Sequence, residues 1–313
     1  MAAVKKLSVS LLHDKNTRLK MKNITLIIIA ILINNSPIFA LENIRTDARS
    51  AGMGGYAGSP VVENSFAQNP ASINFDNSRA LSIGYNFNPT IASEFLLNEG
   101  TIFFKNVMGK KKLVAIGACA SMTSYGYSGS YPGAQSMAWS TIYFNAAAAL
   151  RIGKLLQVGA SGIYDRRQLQ MTVHGEKPDA TFDIDANAGV ALTGNKISVG
   201  LSALNMTSLI DNALPELLLN ITGAPGRLLL SETVSYNIDD RSIGSFTGLE
   251  FNVIKKLIYI RTGLKAVNTF TSFYPTAGLS LNIKQIRVNY ATEYDLTTTQ
   301  GFKHTVSLDY SWL

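Results

Sequence analysis

Residues 180–192 read ATFDIDANAGVAL, and their side chains alternate between apolar and polar or small. Phe182, Ile184 and Val190 share one side of this pattern, whereas Asp183 and Asp185 fall on the other. Successive side chains of a β-strand point to opposite faces, so a strand here would have one apolar and one polar face. The period of two therefore predicts a half-buried β-strand and argues against a helix.

The same alternation recurs along the chain between turn signals. Each segment is about as long as the 9–11 residues that a tilted strand needs to cross a membrane. Fourteen strands are predicted, at 80–88, 100–107, 112–122, 139–150, 154–165, 180–192, 196–204, 215–222, 227–237, 244–254, 257–266, 274–283, 285–294 and 303–312. An even number of strands is typical of bacterial outer-membrane barrels.

The predicted connections differ in length. Short joints at 193–195, 255–256 and 284 imply tight antiparallel hairpins. Longer polar stretches at 123–138, 166–179 and 295–302 predict loops. We expect an all-β fold, a transmembrane antiparallel β-barrel of about 14 strands over residues 79–313. A soluble β-sandwich or lipocalin-like barrel also alternates and is the competing interpretation.

The first 40 residues have the layout of a secretory signal peptide. Lys20 and Lys22 precede the apolar stretch 24–33, and the small residue Ala40 follows it. We predict cleavage after Ala40 and a true start at Met21. A single N-terminal membrane anchor is the alternative, although ten apolar residues are fewer than the roughly 20 that a spanning helix needs.

Composition excludes several classes of function. The chain of 313 residues contains one cysteine, which rules out an internal disulfide framework and a zinc site built on several thiolates. Its net charge of +7 is concentrated in the first 40 residues, which hold six of the 28 basic residues and one of the 21 acidic ones. The rest is nearly neutral, so no nucleic-acid partner is expected. No cofactor or metal is expected either.

Charged residues occupy the polar side of the predicted strands. We expect them to face the barrel lumen and to pair across neighbouring strands. A Lys or Arg on the lipid side would cost about 2–4 kcal/mol at the membrane midplane. The predicted lumenal residues are Asp183, Asp185, Lys196, Glu250, Arg261, Arg287, Glu293 and Asp309.

The last strand has the form of a terminal membrane strand. Val306, Leu308, Tyr310 and Trp312 alternate with polar residues. Outer-membrane barrels usually end in such a strand, which the barrel assembly machinery reads. Outer-membrane lipid and this machinery are therefore the expected partners.

A glycine-rich segment follows the leader. Residues 47–58 read DARSAGMGGYAG, and residues 63–73 read ENSFAQNPASI. This pair of motifs resembles the N-terminal signature of the PorV/PorQ family of outer-membrane barrels, which is related to the FadL fatty-acid transporters. The glycines permit positive φ and close packing. A phosphate-binding loop is the rival interpretation, but no Gly-Lys-Ser/Thr follows.

The resemblance implies a barrel of fourteen strands in a Gram-negative-type outer membrane. It also implies that residues 41–78 fold into the lumen as a plug. The plug residues it singles out are Gly52, Met53, Gly54, Gly55, Asn69, Pro70 and Ala71. The final hairpins resemble the family as well, at 246–251, 260–265 and 277–281.

Three functions remain open from the sequence. The first is transport of hydrophobic small molecules, in which the plug moves to admit the ligand. The second, suggested by the PorV side of the resemblance, is a non-enzymatic accessory role in protein export of the type IX kind, which handles secreted proteins at the cell surface. The third is a barrel lipid hydrolase using His174 or His304 as base. We expect no enzymatic activity.

Overall fold

The computed structural model describes most of the chain downstream of the leader. Residues 1–46 lie outside this description, so the predicted signal peptide, the start at Met21 and the cleavage after Ala40 stay predictions. The described residues are 47–55, 64–75, 79–87, 95–109, 111–128, 136–171, 179–207, 215–238, 241–267, 272–294, 296 and 302–312. No helix among them has the length and hydropathy to span a membrane.

Fourteen antiparallel strands form one closed barrel. They are β1 (Arg79–Phe87), β2 (Phe95–Met108), β3 (Val114–Ser128), β4 (Ser136–Ile152), β5 (Leu156–Met171), β6 (Asp179–Thr193), β7 (Ile197–Leu204), β8 (Glu216–Gly223), β9 (Leu228–Asn237), β10 (Ile243–Ile254), β11 (Ile258–Val267), β12 (Ser272–Ile283), β13 (Ile286–Tyr294) and β14 (Phe302–Trp312). Each strand pairs with its sequence neighbours, and β1 pairs with β14, from Arg79 opposite Trp312 to Phe87 opposite His304. The predicted transmembrane barrel is confirmed.

The alternation in the sequence separates the two faces of the wall. Ile184 is 64% exposed on the outside, whereas its neighbour Asp185 is 2% exposed inside. Leu308 and Asp309 repeat the contrast at 48% and 4%. The wall thus presents hydrocarbon outward and polar groups inward, as a barrel in lipid requires.

The two rims differ in their connections. Turns at 109–113, 153–155, 194–196, 224–227, 255–257 and 284–285 contain two to five residues each and lie on one rim, which we call the short-turn rim. The opposite connections, at the long-loop rim, contain four to eleven residues. Short periplasmic turns and longer outer loops are usual in outer-membrane barrels.

Two predicted loops are shorter than the sequence indicates. Strand β3 continues to Ser128 and β4 begins at Ser136, so much of 123–138 is strand. Likewise β5 continues to Met171 and β6 begins at Asp179. The sequence there is rich in small and polar residues, which hide the period of two, although backbone pairing continues. A strand outside the hydrocarbon layer needs no apolar face, which explains the missed ends.

Candidate functional site

The N-terminal segment contacts the inner wall of the barrel through two arms. The first arm, residues 47–55, contains a helical turn α1 (Ala48–Ala51). Asp47 caps this turn, because its Oδ1 accepts a hydrogen bond from the Ser50 backbone N–H at 2.7 Å. The turn packs on β12, β13 and β14. Ala48 and Ala51 form a small buried cluster there with Ala291.

Wall glycines make room for the first arm. A Cβ placed on Gly248 would lie 2.5 Å from the Met53 carbonyl oxygen. A Cβ on Gly263 would lie 2.5 Å from the Met53 carbonyl carbon and would overlap the backbone nitrogen of Gly54. Gly54 itself has φ +90, in the region that favours glycine. The backbones of the first arm and the wall therefore meet without intervening side chains.

A buried ion group anchors the first arm to β10. Arg49 donates from Nε to Glu250 Oε2 at 3.0 Å and from Nη2 to Oε1 at 2.7 Å, in a bidentate pair. Arg261 on β11 donates from Nε to the same Oε2 at 2.6 Å. All three side chains are less than 10% exposed. Glu250 thus pairs at the same time with a cation of the first arm and with a cation of the wall.

A polar network extends from this ion group to the seam of the barrel. Asn289 on β13 donates from Nδ2 to Asp309 Oδ2 at 2.7 Å, and Ser280 on β12 donates to Asn289 Oδ1. Ser82 on β1 donates to Asp309 Oδ1 at 2.6 Å, across the pair that closes the barrel. Arg261 Nη2 lies 3.5 Å from Asn289 Oδ1 and connects the two parts.

The second arm, residues 64–75, lies against the opposite side of the wall. Its 3₁₀ turns are Ser65–Ala67 and Pro70–Ser72, and the second is capped by Asn69, which accepts from the Ala71 N–H at 3.0 Å. This second turn packs on β4, β5 and β6. A Cβ on Gly159 would lie 2.5 Å from the Pro70 carbonyl carbon, and one on Gly189 would overlap Asn69 Oδ1.

Apolar burial holds the second arm. Phe66 meets Phe103 edge to face, with ring centroids 6.1 Å apart. A Cβ on Gly117 would lie 3.0 Å from the Phe66 ring, so the wall accommodates this side chain closely. We call the set the arm cluster; it comprises Phe66, Ala67, Ile73, Phe75, Phe103, Val107, Ala115, Cys119, Ala147 and Ala149. Cys119 is thus a buried packing residue.

Hydrogen bonds connect the arms to each other and to the wall. Asn64 donates from Nδ2 to Asp47 Oδ2 at 2.7 Å, and Gln68 donates from Nε2 to the Gly55 carbonyl at 3.1 Å. From the wall, Ser202 on β7 donates to the Gln68 carbonyl at 2.9 Å. The two arms are therefore tied into one lumenal segment.

A second apolar cluster lies inside the barrel near the long-loop rim. Leu204, Leu218 and Phe246 are buried together, with Tyr274 packed against them. The Lys265 ammonium lies 4.8 Å from the Tyr274 ring centroid and 3.9 Å from Glu293 Oε1. We call Leu204, Leu218, Phe246 and Tyr274 the upper cluster. It places apolar side chains on the inner wall near the long-loop rim, apart from the arm cluster.

The structure brings together many residues singled out in the sequence. Gly52, Met53 and Gly54 contact β10, β11 and β12. A Cβ on Gly55 would lie 3.9 Å from Lys265 Cδ. Asn69, Pro70 and Ala71 lie against β5 and β6. Their roles in a plug stay a proposal.

The predicted lumenal charges have different environments. Glu250 and Arg261 pair across neighbouring strands as expected, and Asp185 accepts from Thr207 Oγ1 at 2.7 Å. Asp183 is half-buried, and Arg287 donates to Asn282 Oδ1 at 2.7 Å. Lys196 differs from the prediction, because it lies in the exposed turn 194–196, where the chain reverses before β7 and a cation meets water.

Val306, Leu308, Tyr310 and Trp312 share the outer face of β14. Trp312 packs edge to face on Tyr310 with centroids 4.7 Å apart, at the short-turn rim. Aromatic rings at this level suit the interface between lipid and water. Recognition of this terminal strand by the barrel assembly machinery stays a prediction.

Sequence reasoning missed the wall side of the site. Arg49 lies within the quoted motif, but nothing local signals that its partner is Glu250, 201 residues away. The wall glycines and the arm cluster were also missed, although apolar residues at inward positions, such as Phe103 and Phe246, break the alternation and could have been noticed. Among the described residues, no group of three or more His, Cys, Asp or Glu is placed to hold a metal ion.

Comparison with known proteins concerns the fold. No protein-family model and no curated protein matches the chain. Among solved structures, the Ralstonia pickettii toluene transporter TbuX is similar, with a TM-score of 0.64 and 13% identity over 87% of this chain and 100% of that one. The Pseudomonas putida toluene transporter TodX gives 0.66 and 10% over 86% and 99%. The chain has the fold of these transporters.

A Pseudomonas aeruginosa FadL homologue has the same architecture, with a TM-score of 0.60 and 10% identity over 89% of this chain and 100% of that one. The FadL-like part of the resemblance noted in the sequence is thus supported at the level of fold. The PorV/PorQ part finds no support among these structures.

Proposed function

We propose that this chain transports hydrophobic small molecules across a Gram-negative-type outer membrane, without enzymatic chemistry. The observation that carries the proposal is the lumenal segment, whose two arms are seated on opposite sides of the inner wall. A barrel obstructed in this way is suited to controlled passage of a bound ligand, whereas an open pore would conduct small solutes freely.

Two apolar clusters inside the barrel support a hydrophobic ligand. The upper cluster lies near the long-loop rim, and the arm cluster lies toward the short-turn rim. Small-molecule sites are commonly lined by apolar and aromatic side chains with few polar groups. The solved relatives in fold include proteins described as toluene transporters and a monoaromatic hydrocarbon channel. Passage between the clusters requires displacement of an arm.

The inner wall carries polar side chains that can form hydrogen bonds with a displaced arm. Hydroxyl and amide side chains on β8 and β9 face inward, among them Asn220, Ser231 and Thr233, which hydrogen-bond to one another. An arm that leaves its seat can exchange hydrogen bonds with such groups. Water or wall hydroxyls would then satisfy the freed backbone groups, which limits the cost of displacement.

A deletion strain and its complemented counterpart test the proposal. Uptake of labelled toluene and of labelled long-chain fatty acid is measured in both, with a hydrophilic sugar as control. We expect complementation to raise uptake of at least one hydrophobic probe and to leave sugar uptake unchanged. Equal uptake in both strains would contradict the transport function.

A disulfide trap tests whether the first arm moves. A Cβ on Gly52 would lie 3.5 Å from the Ala291 Cβ, within the range of about 3.5–4.5 Å for disulfides. The variant Gly52→Cys/Ala291→Cys, in a Cys119→Ser background, should lose uptake when oxidised and regain it on reduction. The single variant Ala291→Cys is the control. Full uptake by the oxidised form would exclude movement of this arm.

The export role is the second candidate. The motif at residues 47–58 and the Asn69-Pro70-Ala71 triplet favour it, because they resemble the PorV/PorQ signature. Secreted proteins that co-purify with the barrel and fail to reach the surface of the deletion strain, together with unchanged hydrocarbon uptake, would favour export over transport.

A hydrolase would need a serine beside a histidine. The Nδ1 atom of His304 lies 2.7 Å from the Tyr290 hydroxyl on the outer face of the barrel. This tyrosine is not the partner that hydrolysis requires, and His174 lies outside the described residues. The arrangement of His304 favours the non-enzymatic proposal.

A further inference from the structure

The short-turn rim carries basic side chains in every turn. Each of its six turns contains at least one lysine or arginine and no acidic residue; they read GKKKL (109–113), GKL (153–155), GNK (194–196), APGR (224–227), KKL (255–257) and KQ (284–285). Strand β1 also begins at this rim, with the exposed Arg79. We call the exposed cations of this rim the basic ring; it comprises Arg79, Lys111, Lys154, Lys196, Arg227, Lys255, Lys256 and Lys284.

The basic ring surrounds the whole circumference of the barrel. The six turns join every second pair of neighbouring strands, from β2 and β3 round to β12 and β13, and Arg79 lies at the seam between β1 and β14. The ion pairs of the described residues involve none of the eight cations. Because these charges are not neutralised by the wall, they are presented to whatever surrounds the rim.

Three turn lysines occupy a backbone conformation that lysine disfavours. Lys112, Lys256 and Lys284 have φ of 49°, 63° and 57°, in the left-handed region. Glycine takes this conformation without a steric cost, and it does so at Gly109 and Gly153 of the same rim. The turn by itself would favour glycine or asparagine at such positions. The use of lysine in spite of this cost points to a role for its charge.

Exposed apolar residues in the same turns place the rim at the membrane surface. Leu155 directly follows Lys154 and is 58% exposed, and Leu257 directly follows Lys256 and is 38% exposed. Such a leucine is stabilised when hydrocarbon, and not water, covers it. The lysine beside it can keep its carbon stem in the apolar layer while its ammonium extends to the headgroups.

The aromatic pair at the end of β14 marks the same level. Tyr310 donates from its hydroxyl to Gln285 Oε1 at 3.1 Å, and Trp312 packs on the Tyr310 ring. Tyrosine and tryptophan favour the interface between hydrocarbon and water. Lys284, next to Gln285 in the chain, therefore lies at the depth of the lipid headgroups.

The placement of the basic ring fits lipid better than a soluble protein. A protein that docks from the water would meet cations on one arc of the rim, whereas these cations lie all round it. Its site would also leave the exposed leucines in water before it bound, whereas lipid covers them. Ammonium and guanidinium groups at a membrane surface form charge-assisted hydrogen bonds to phosphate oxygens and attract anionic lipids.

We propose that the basic ring binds the phosphates of anionic phospholipids in the leaflet around the short-turn rim. Short turns of outer-membrane barrels face the periplasm, so this is the periplasmic leaflet. Cations distributed over all the turns hold a shell of anionic headgroups and fix the depth of the barrel in the bilayer. This binding requires only that the barrel lie in a membrane and is independent of what passes through it.

Spin-labelled lipids measure the preference. The purified barrel is reconstituted in phosphatidylcholine vesicles, and the motionally restricted fraction is compared for labelled phosphatidylglycerol and labelled phosphatidylcholine of equal chain length. We expect the native protein to associate with phosphatidylglycerol about twofold more strongly or better, and this difference should vanish in about 1 M NaCl, where charges are screened within about 3 Å. Equal association of both labels at low salt would overturn the proposal and favour an acidic periplasmic protein as the partner.

Matched variants assign the preference to the basic ring. One variant removes a cation from each of three turns: Lys154→Gln/Lys196→Gln/Lys255→Gln. The control removes three cations toward the long-loop rim: Arg166→Gln/Arg241→Gln/Lys303→Gln. Heat-modifiable gel mobility reports that both fold. The first variant should lose about half of the preference, and the control should keep it. Equal preference in the two variants would overturn the role of the basic ring.

Competition separates lipid phosphate from the free ion. Inorganic phosphate replaces chloride at constant ionic strength in the vesicle assay with the native protein. We expect the preference for phosphatidylglycerol to stay unchanged, because the ring acts on headgroups held beside it by the bilayer. Loss of the preference in phosphate would show a site for the free anion and would overturn lipid as the partner.

Discussion

The two arms of the lumenal segment are held by different physical means. The first arm is fixed by the ion group of Arg49, Glu250 and Arg261 and by backbone contact with glycines. The second arm is fixed by burial of Phe66 and its neighbours in the arm cluster. An ion pair depends on direction and distance, whereas apolar burial depends on area.

This difference shows how a barrel with a polar interior can hold a plug. Apolar side chains on the inner wall are expensive to leave in water, and those of β2, β3 and β4 lie beneath the second arm, where they are covered. Buried charges are expensive to leave unpaired, and the buried Arg49 of the first arm finds its counter-charge in Glu250, which also binds Arg261. We expect the first arm to open by an exchange of polar partners and the second by loss of apolar contact.

Loss of the shared carboxylate should have the largest effect. Glu250→Gln leaves Arg49 and Arg261 buried without a counter-charge, which should lower the free energy of opening of the first arm by about 3–5 kcal/mol. Amide hydrogen exchange of residues 48–55 measures this. Glu293→Gln is the control, because its partner Lys265 lies 3.9 Å away and both are half-buried. Equal loss of protection in both arms would contradict their separate anchoring.

Removal of an aromatic ring should have the next largest effect, confined to the second arm. Phe66→Ala should cost about 3 kcal/mol, because it deletes a fully buried ring and leaves a cavity. Hydrogen exchange of residues 65–73 is expected to rise while the first arm stays protected. Phe104→Ala, on the outer face beside Phe103, is the control. A first arm that opens equally would show that the arm cluster supports both.

A single methyl group added to the wall should destabilise the first arm by an intermediate amount. Gly263→Ala places a Cβ against the Met53 carbonyl carbon and Gly54, which should cost about 1–3 kcal/mol in the stability of the first arm. Gly100→Ala is the matched control, since nothing lies within 4 Å of its Cβ. Limited proteolysis of the arm in detergent should separate the two variants. Similar cleavage rates would show that the arm shifts to accept the methyl group.

The hydrogen bond between the arms should have the smallest effect. Asn64→Ala removes the contact with Asp47 Oδ2 and leaves the cap on Ser50, so we expect a loss of about 1 kcal/mol. The informative measurement is a double-mutant cycle with Glu250→Gln. Amide hydrogen exchange of the second arm is measured in each variant of the cycle. A coupling energy near zero would mean that the arms open independently.

The barrel was predictable because its signal is local. Asp183 and Asp185 alternate with Phe182 and Ile184, and a strand converts this order directly into two faces. All fourteen predicted strands exist, and closure by β1 and β14 follows because a sheet in lipid cannot leave an edge unpaired. The strand ends beyond residues 122 and 165 were missed, since alternation ends where lipid ends.

The sequence by itself thus determined which side of each strand meets lipid, and through its resemblance it suggested that residues 41–78 enter the lumen. Only the tertiary structure decided what the segment meets there. Arg49 reaches Glu250, and Pro70 reaches Gly159, only because the closed wall brings distant strands around the same segment. Local order sets the face of a residue, but closure and register set its partner, and no short-range pattern records a contact made across 201 residues.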